Sequence, residues 1–284
     1  MVNALLGRVH QSGFINRLPA DTLNRVKAGP LYVTMEHLED GVAWGVVANS
    51  GNANACCPMS HENAEAMCAA AAAATGREPH DFAVASTGVI GQTINIAAIE
   101  AGVPKVVELL NDNGSDAAAN AIMTTDTVKK EIAVSVEIGG KEVKIGAIAK
   151  GSGMIHPNMG TMLGFITTDC AITHEMLEDA LREIVMHTFN RVTVDGDTST
   201  NDTCCVLANG MAGNAEITAE GPAFDAFMKA LNTVTVYLCR CIAGDGEGAT
   251  KLLECQVTGA KTEAAAKTVA KSVICSSLTK AAMF

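Results

Sequence analysis

The chain has 284 residues, of which 48% are hydrophobic and 18% charged, with a formal net charge of −11. Such a composition belongs to a globular protein able to bury a substantial core, and excludes a disordered chain. The acidic balance, with Lys and Arg scattered and never in runs, excludes a nucleic-acid binder, because nothing supplies the basic surface that phosphate neutralisation requires.

Residues 41–51, GVAWGVVANSG, read as a buried strand ending in a polar loop. Residues 61–76, HENAEAMCAAAAAATG, have helix-forming composition throughout, with Gly76 at the stop position. A second strand, FAVASTGVIG (82–91), runs into a glycine-rich turn, and short helices are expected near 94–102, 103–112 and 115–122. The clearest local signal is EIAVSVEIGGKEVKIGAIAKGSG (131–153), two alternating strands around the two-residue hairpin signal Gly139-Gly140. A strand at 162–167, a helix at 174–188 and strands at 191–195 and 203–208 follow. A helix at 223–240, a strand at 252–257 and a helix at 261–276 complete the expected elements. Strands and helices alternate without the regular βαβ rhythm of a doubly wound sheet. The fold class expected is therefore α/β, with mixed sheets layered with helices.

The longest apolar stretch is the alanine run Ala69–Ala74, too short to cross a membrane, and the opening MVNALLGRVH does not read as a secretory signal. Ten cysteines without a C-x-x-C spacing read as buried thiols of a reducing compartment and not as a zinc site. The expectation is a cytoplasmic protein that holds no metal.

Four polar clusters stand at the ends of expected strands. NSGNANACC (49–57) is either a substrate loop or the Asn-Gly composition that any tight turn prefers. STGVIG (86–91) sets backbone N–H groups and a hydroxyl at a turn, which suits it to polarise a carbonyl or simply to join a strand to a helix. VDGDTSTNDT (194–203) has the acidic content of a calcium loop. Counted from Asp195, however, Thr200 stands where such a loop needs glycine and Val206 where it needs glutamate, so a hydrogen-bonded turn network is the better reading. GDGEGATK (244–251) lacks the G-x-x-x-x-G-K spacing of a phosphate loop.

No Gly-x-Ser-x-Gly elbow is present, and the histidines suggest no triad; His156 lies nearest to the small-residue step Gly160-Thr161 in HPNMGTMLGF (156–165). A nucleophile without a histidine base can find one within its own residue. A chain cut before a threonine exposes an α-amine, with a pKa of about 7.7–8.0 in model peptides, beside that threonine's hydroxyl. The small Gly160 leaves room for the hydroxyl to attack the preceding carbonyl.

In chain order, NSGNANAC, ASTGVIG, AIMTTDT, AKGSGMIHPNMGTMLGFITTD, FNRVTVDGDTSTNDT and DGEGATKLLE resemble the ornithine acetyltransferase family of arginine biosynthesis, glutamate N-acetyltransferases that are bifunctional in many members. The likeness runs from about NRVKAGP (24–30) to LTKAAMF (278–284). It implies the self-processing fold of that family, similar in chemistry to N-terminal-nucleophile hydrolases. It further implies a cut between Gly160 and Thr161, giving an α-chain region 1–160 and a β-chain region 161–284 that stay together, as a heterotetramer. Thr161 would then take the acetyl group from N-acetylornithine and pass it to glutamate by a ping-pong route. Acetyl-CoA stays open as a second acetyl donor, and no cofactor is implied. The family's oxyanion-hole pair maps onto Thr87 and Gly88, and its substrate positions onto Thr124, Lys150, Thr161 and Glu247. Lys150 and Glu247 have the charges to hold a zwitterionic amino-acid derivative.

The sequence departs from the family in three places. Gly160 stands where alanine is usual, and His156, where alanine is common, brings a titratable group near the expected cleavage loop. The chain stops at KAAMF where relatives continue with further substrate contacts, and MVNALLGRVHQSGFINRLPADTL fits poorly where relatives carry their opening strands. The expectation drawn from this third departure is self-cleavage without efficient transfer. Two other readings stay open: an N-terminal-threonine amidohydrolase or aminopeptidase with water as acceptor, and an inactive truncated member of the family.

Overall fold

Two sheets lie face to face, each backed by helices, in a computed structural model that describes residues 2–6, 11–15, 27–156 and 162–283, the first two stretches as backbone alone. Its strands are β1 (Val2–Leu6), β2 (Gln11–Ile15), β3 (Gly45–Asn52), β4 (Phe82–Val89), β5 (Lys130–Ile138), β6 (Lys141–Lys150), β7 (Leu163–Thr168) and β8 (Thr203–Ala208). The helices are α1 (Gly29–His37), α2 (Ser60–Thr75), α3 (Ile96–Glu108), α4 (Ser115–Ala121), α5 (His174–His187), α6 (Pro222–Gly244), α7 (Glu263–Ile274) and α8 (Ser277–Met283). The smaller sheet has the order β1-β3-β4 and the larger β2-β8-β7-β6-β5.

The period-2 alternation of side chains sorts these strands into layers. Val46 and Ala48 of β3, with Ala83 and Ala85 of β4, meet Ile148, Leu163, Phe165, Cys205 and Leu207 of the larger sheet in a core between the sheets. Their neighbours one residue away face outward. Val47, Phe82 and Val84 pack with Met67, Cys68 and Ala71 of α2 and with Ile99 and Val103 of α3. On the far side, Ala147, Ala149, Ile166, Cys204 and Val206 pack with Leu177, Leu181 and Val185 of α5 and Phe227, Leu231 and Leu238 of α6. Helix α2 buries Ala64, Met67, Cys68, Ala71 and Ala72, the 3–4 spacing of one helical stripe, and stops where Gly76 takes a φ of 68°.

The mixed α/β class expected from the sequence is the one found. The β5–β6 hairpin turns at Gly139 and Gly140, whose φ values of 59° and 75° are those of the turn that matches strand twist. Among the described strands, parallel pairing joins β3 to β4, connected through α2, and β7 to β8, connected through α5. These two separate crossovers explain why no regular βαβ rhythm runs through the sequence.

Three local expectations are corrected. The helices expected at 94–102 and 103–112 are the single α3, which passes through Pro104. Pro104 and Glu100 are both exposed, so water can take up the carbonyl that the proline leaves unbonded, while Ile99 and Val103 hold the buried face. The strand expected at 191–195 is instead a 3₁₀ turn, Phe189–Arg191, and a loop. Residues 252–257 alternate in exposure as a strand would, but no strand pairs with them among the described residues. The opening residues include β1 and β2, which pair with β3 and β8.

Candidate active site

Lys150 closes β6 and is 2% exposed, yet its ammonium reaches a cavity of about 750 Å³. There it donates to the Thr124 hydroxyl at 2.7 Å and the Thr87 hydroxyl at 3.4 Å, and lies 3.5 Å from Asp126 Oδ2. The loops that line this cavity follow β3, β4, α4, β6 and α6, joined by the 192–202 loop that leads into β8. They bring Ser50, Gly51, Thr87, Gly88, Thr124, Lys150, Gly153, Asp195, Asn201 and Glu247 together. All four polar clusters singled out in the sequence therefore converge on one place.

Local backbone geometry explains several of these residues. Thr87 and Gly88 end β4 beside the bulge that Gly51 and Asn52 make in β3. Gly88 has a φ of 131°, and a Cβ there would overlap the Gly51 carbonyl, so only glycine allows the two strand ends to approach. Asn201 ties the same ends together, donating from Nδ2 to the carbonyls of Ala53 (2.6 Å) and Ser86 (2.9 Å). Asp195 accepts the backbone N–H groups of Met154, Ile155 and Asp197. VDGDTSTNDT is thus the hydrogen-bonded turn network that its sequence suggested. In NSGNANACC, Ser50, Gly51 and Ala53 line the cavity, while Asn54 takes a φ of 48° in the turn and donates from Nδ2 to the Ser60 carbonyl at 2.7 Å.

Burial pushes the Lys150 ammonium below its ordinary range; Asp126 and, more weakly, Glu247 pull it back up, and Lys130 adds to the fall. Burial alone would raise Asp126, but Lys150, Lys130 and the Gly151 amide together hold it below the usual carboxylate range. Asp202, wholly enclosed beside the start of β7, is pushed well above that range by burial, against a 3.0 Å hydrogen bond from the Met162 amide and the attraction of Lys150. The thiols do not compete as nucleophiles near the core. Burial pushes Cys170 up to about 11 and Cys204 up to about 12, so both stay protonated near neutrality.

Thr87, Gly88, Thr124, Lys150 and Glu247 thus line one cavity. Gly160 and Thr161 lie outside the described residues. His156 is not among the lining residues. Its Nδ1 is 3.1 Å from the Thr193 hydroxyl, and burial, then Lys271 of α7 and Lys280 of α8, push the imidazole below its ordinary value. Sequence reasoning missed Asp126, Lys130, Asp245 and Asn201. Asp126 and Asp245 sat inside quoted motifs, in AIMTTDT and DGEGATK, while Lys129-Lys130 reads as an ordinary solvated pair opening a strand.

Glu247 packs against Gly153 so closely that a Cβ there would overlap its carboxylate. Because the clash falls on the end of a flexible side chain, Gly153→Ala should leave stability within about 0.5 kcal/mol of wild type. It should displace Glu247 and weaken binding of a ligand held by that carboxylate. Thermal unfolding and calorimetric titration with a zwitterionic amino-acid derivative measure the two effects separately.

Among the described residues no helix is long and apolar enough to cross a membrane. The sequence pattern of the ArgJ family matches residues 17–284. The chain is 51% identical over 264 residues to the arginine biosynthesis bifunctional protein ArgJ of Symbiobacterium thermophilum, covering 93% of this chain and 66% of that protein. Its likeness to ArgJ 1 of Clostridium acetobutylicum is 48% over 264 residues, covering 93% and 65%. These shares mean that the chain spans just under two thirds of the length of these relatives. The crystal structure of the Mycobacterium tuberculosis ornithine acetyltransferase complexed with ornithine is 28% identical, with a TM-score of 0.43, over 57% of this chain and 100% of that one.

Proposed function

The chain belongs to the ArgJ family, and from that premise we propose that it is a self-cleaving acetyltransferase that moves an acetyl group from N-acetylornithine to glutamate through Thr161. The observation that carries the reading is the meeting of Lys150, Thr87, Thr124 and Glu247 in one cavity. A buried ammonium and an exposed carboxylate suit the two charges of an α-amino acid. A hydroxyl and a backbone N–H at the end of β4 suit the oxygen of a tetrahedral intermediate.

In this mechanism the Thr161 hydroxyl attacks the acetyl carbonyl while its own α-amine takes the proton. The amide C–N bond breaks, the departing amine takes that proton back, and ornithine leaves. The glutamate amine then attacks the acetyl ester and restores the Thr161 hydroxyl. The α-chain region 1–160 and β-chain region 161–284 remain associated, as a heterotetramer in the cytoplasm. Acetyl-CoA is a candidate second donor for the same ester, and no bound cofactor is required.

Purified protein incubated with N-acetylornithine carrying a labelled acetyl group should transfer the label to glutamate. Without glutamate, intact mass should report an acetyl group on the chain that begins with Thr161. Acetate released equally with and without glutamate would favour the amidohydrolase reading, and an uncut, unlabelled chain the inactive one.

A further inference from the structure

Behind the cavity lie three titratable side chains that are not among its lining residues: Asp126, Lys130 and Asp245. The side chains of Lys130 and Asp126 are 0% exposed, and that of Asp245 is 5% exposed. Lys130 Nζ lies 2.7 Å from Asp126 Oδ1 and 2.6 Å from Asp245 Oδ2, and also donates to the Val128 carbonyl at 3.2 Å. A buried ammonium is tolerated only with such a full set of partners.

Each carboxylate then reaches a different side of the cavity. Asp126 accepts the amides of Gly151 (2.7 Å) and Thr124 (3.2 Å), and its Oδ2 is 3.5 Å from Lys150 Nζ. It therefore touches the residue after Lys150, the residue whose hydroxyl Lys150 bonds, and Lys150 itself. Asp245 accepts the amide and hydroxyl of Thr127, and its carbonyl accepts the Ser152 hydroxyl at 2.6 Å. The Glu247 amide in turn donates to the Ser152 carbonyl at 3.0 Å, which ties the Asp245–Glu247 loop to the exit of β6.

We propose that Asp126 is a positioning residue that holds the Lys150 ammonium in the cavity as a cation, and that Lys130 extends this hold through Asp245 to the loop bearing Glu247. One buried charge network thereby sets both the cation and the anion of the cavity. The inference rests on the reading of Lys150 and Glu247 as the pair that holds the amino-acid substrate.

The sign of a titration separates this role from simple bracing. The titratable groups facing Lys150 are Asp126, Glu247 and Asp202 on one side and Lys130 on the other, and burial pushes Asp202 well above the usual carboxylate range. If Asp126 only braced the fold, its loss would admit water, and the buried Lys150 would titrate closer to an ordinary lysine, at higher pH. If Asp126 supplies the compensating charge, its loss leaves Lys150 buried beside Lys130, and the titration moves to lower pH.

The experiment is a pH titration of the full chain carrying ¹³C-labelled lysine, followed by NMR. The signal lost in Lys150→Met identifies Lys150. In Asp126→Asn the Lys150 midpoint should fall by about 1–3 pH units, the range for losing an opposite charge at such a distance. The KM for N-acetylornithine should rise steeply as pH climbs through the new midpoint, with kcat at saturation changed much less. Asp245→Asn should leave the Lys150 midpoint in place while raising KM. Should Asp126→Asn fail to fold, the double variant Asp126→Asn/Lys130→Met removes the pair together, and the Lys150 midpoint should again fall. An unchanged or raised midpoint in the folded variant overturns the proposal. Absence of acetyl transfer by wild type would instead count against the substrate reading, and the NMR result would stand apart from it.

Discussion

Thr161→Ala is expected to leave the chain uncut and without transferase activity, the largest effect of any single substitution. Wild type should instead yield products 1–160 and 161–284, and N-terminal sequencing of the second should read Thr-Met-Leu-Gly. Thr161→Ser should retain part of the cleavage because it keeps a hydroxyl that can attack the Gly160 carbonyl. The surroundings favour a cut that disturbs little. Met162 donates its amide to Asp202 at 3.0 Å, and its carbonyl accepts the Thr203 amide at 3.1 Å, so the residue after the step is held from both sides. The two products would also share a sheet. Antiparallel pairing from Ile145↔Thr168 to Lys150↔Leu163 joins β6 to β7 across the cut, so they should copurify. A single uncut wild-type chain after prolonged incubation would overturn the nucleophile assignment.

What was legible beforehand follows from which forces act locally. The β5–β6 hairpin could be read because alternation and a Gly-Gly turn are both short-range signals, and helix α2 because composition and a glycine stop coincide. Residues 252–257 show the limit of the same logic. Their exposure alternates, but a strand also needs a partner edge, and periodicity says nothing about whether one is free. Thr87, Gly88, Thr124, Lys150 and Glu247 were legible because each lies in a motif contiguous in sequence, whereas Asn201 carries no such mark within VDGDTSTNDT. The network behind them was not, since Lys130 pairs with Asp245 across 115 positions of sequence, and no local pattern marks a lysine as buried. Long-range compensation of charge is a property of the folded chain.

Thr87→Ala should slow acetyl transfer by about 10²–10³-fold, the loss typical when one donor aimed at a developing oxyanion is removed, roughly 3–4 kcal/mol. The argument rests on how the hydroxyl is occupied. Thr87 is 1% exposed and ends β4, where Lys150 Nζ approaches its Oγ1 at 3.4 Å. An ammonium can only donate, so it engages a lone pair of Oγ1 and leaves the hydroxyl proton to point elsewhere, toward an oxygen that gains charge in the cavity. The nearby cation also makes the hydroxyl a stronger donor than it would be in water. Thr87→Ser should recover most of the rate, whereas Thr87→Val, which keeps the shape and drops the hydroxyl, should resemble alanine. Substrate affinity should change far less than kcat in Thr87→Ala and Thr87→Val, because the interaction strengthens only as the carbonyl oxygen becomes an oxyanion. Turnover unchanged in Thr87→Val would reduce STGVIG to a plain link between a strand and a helix.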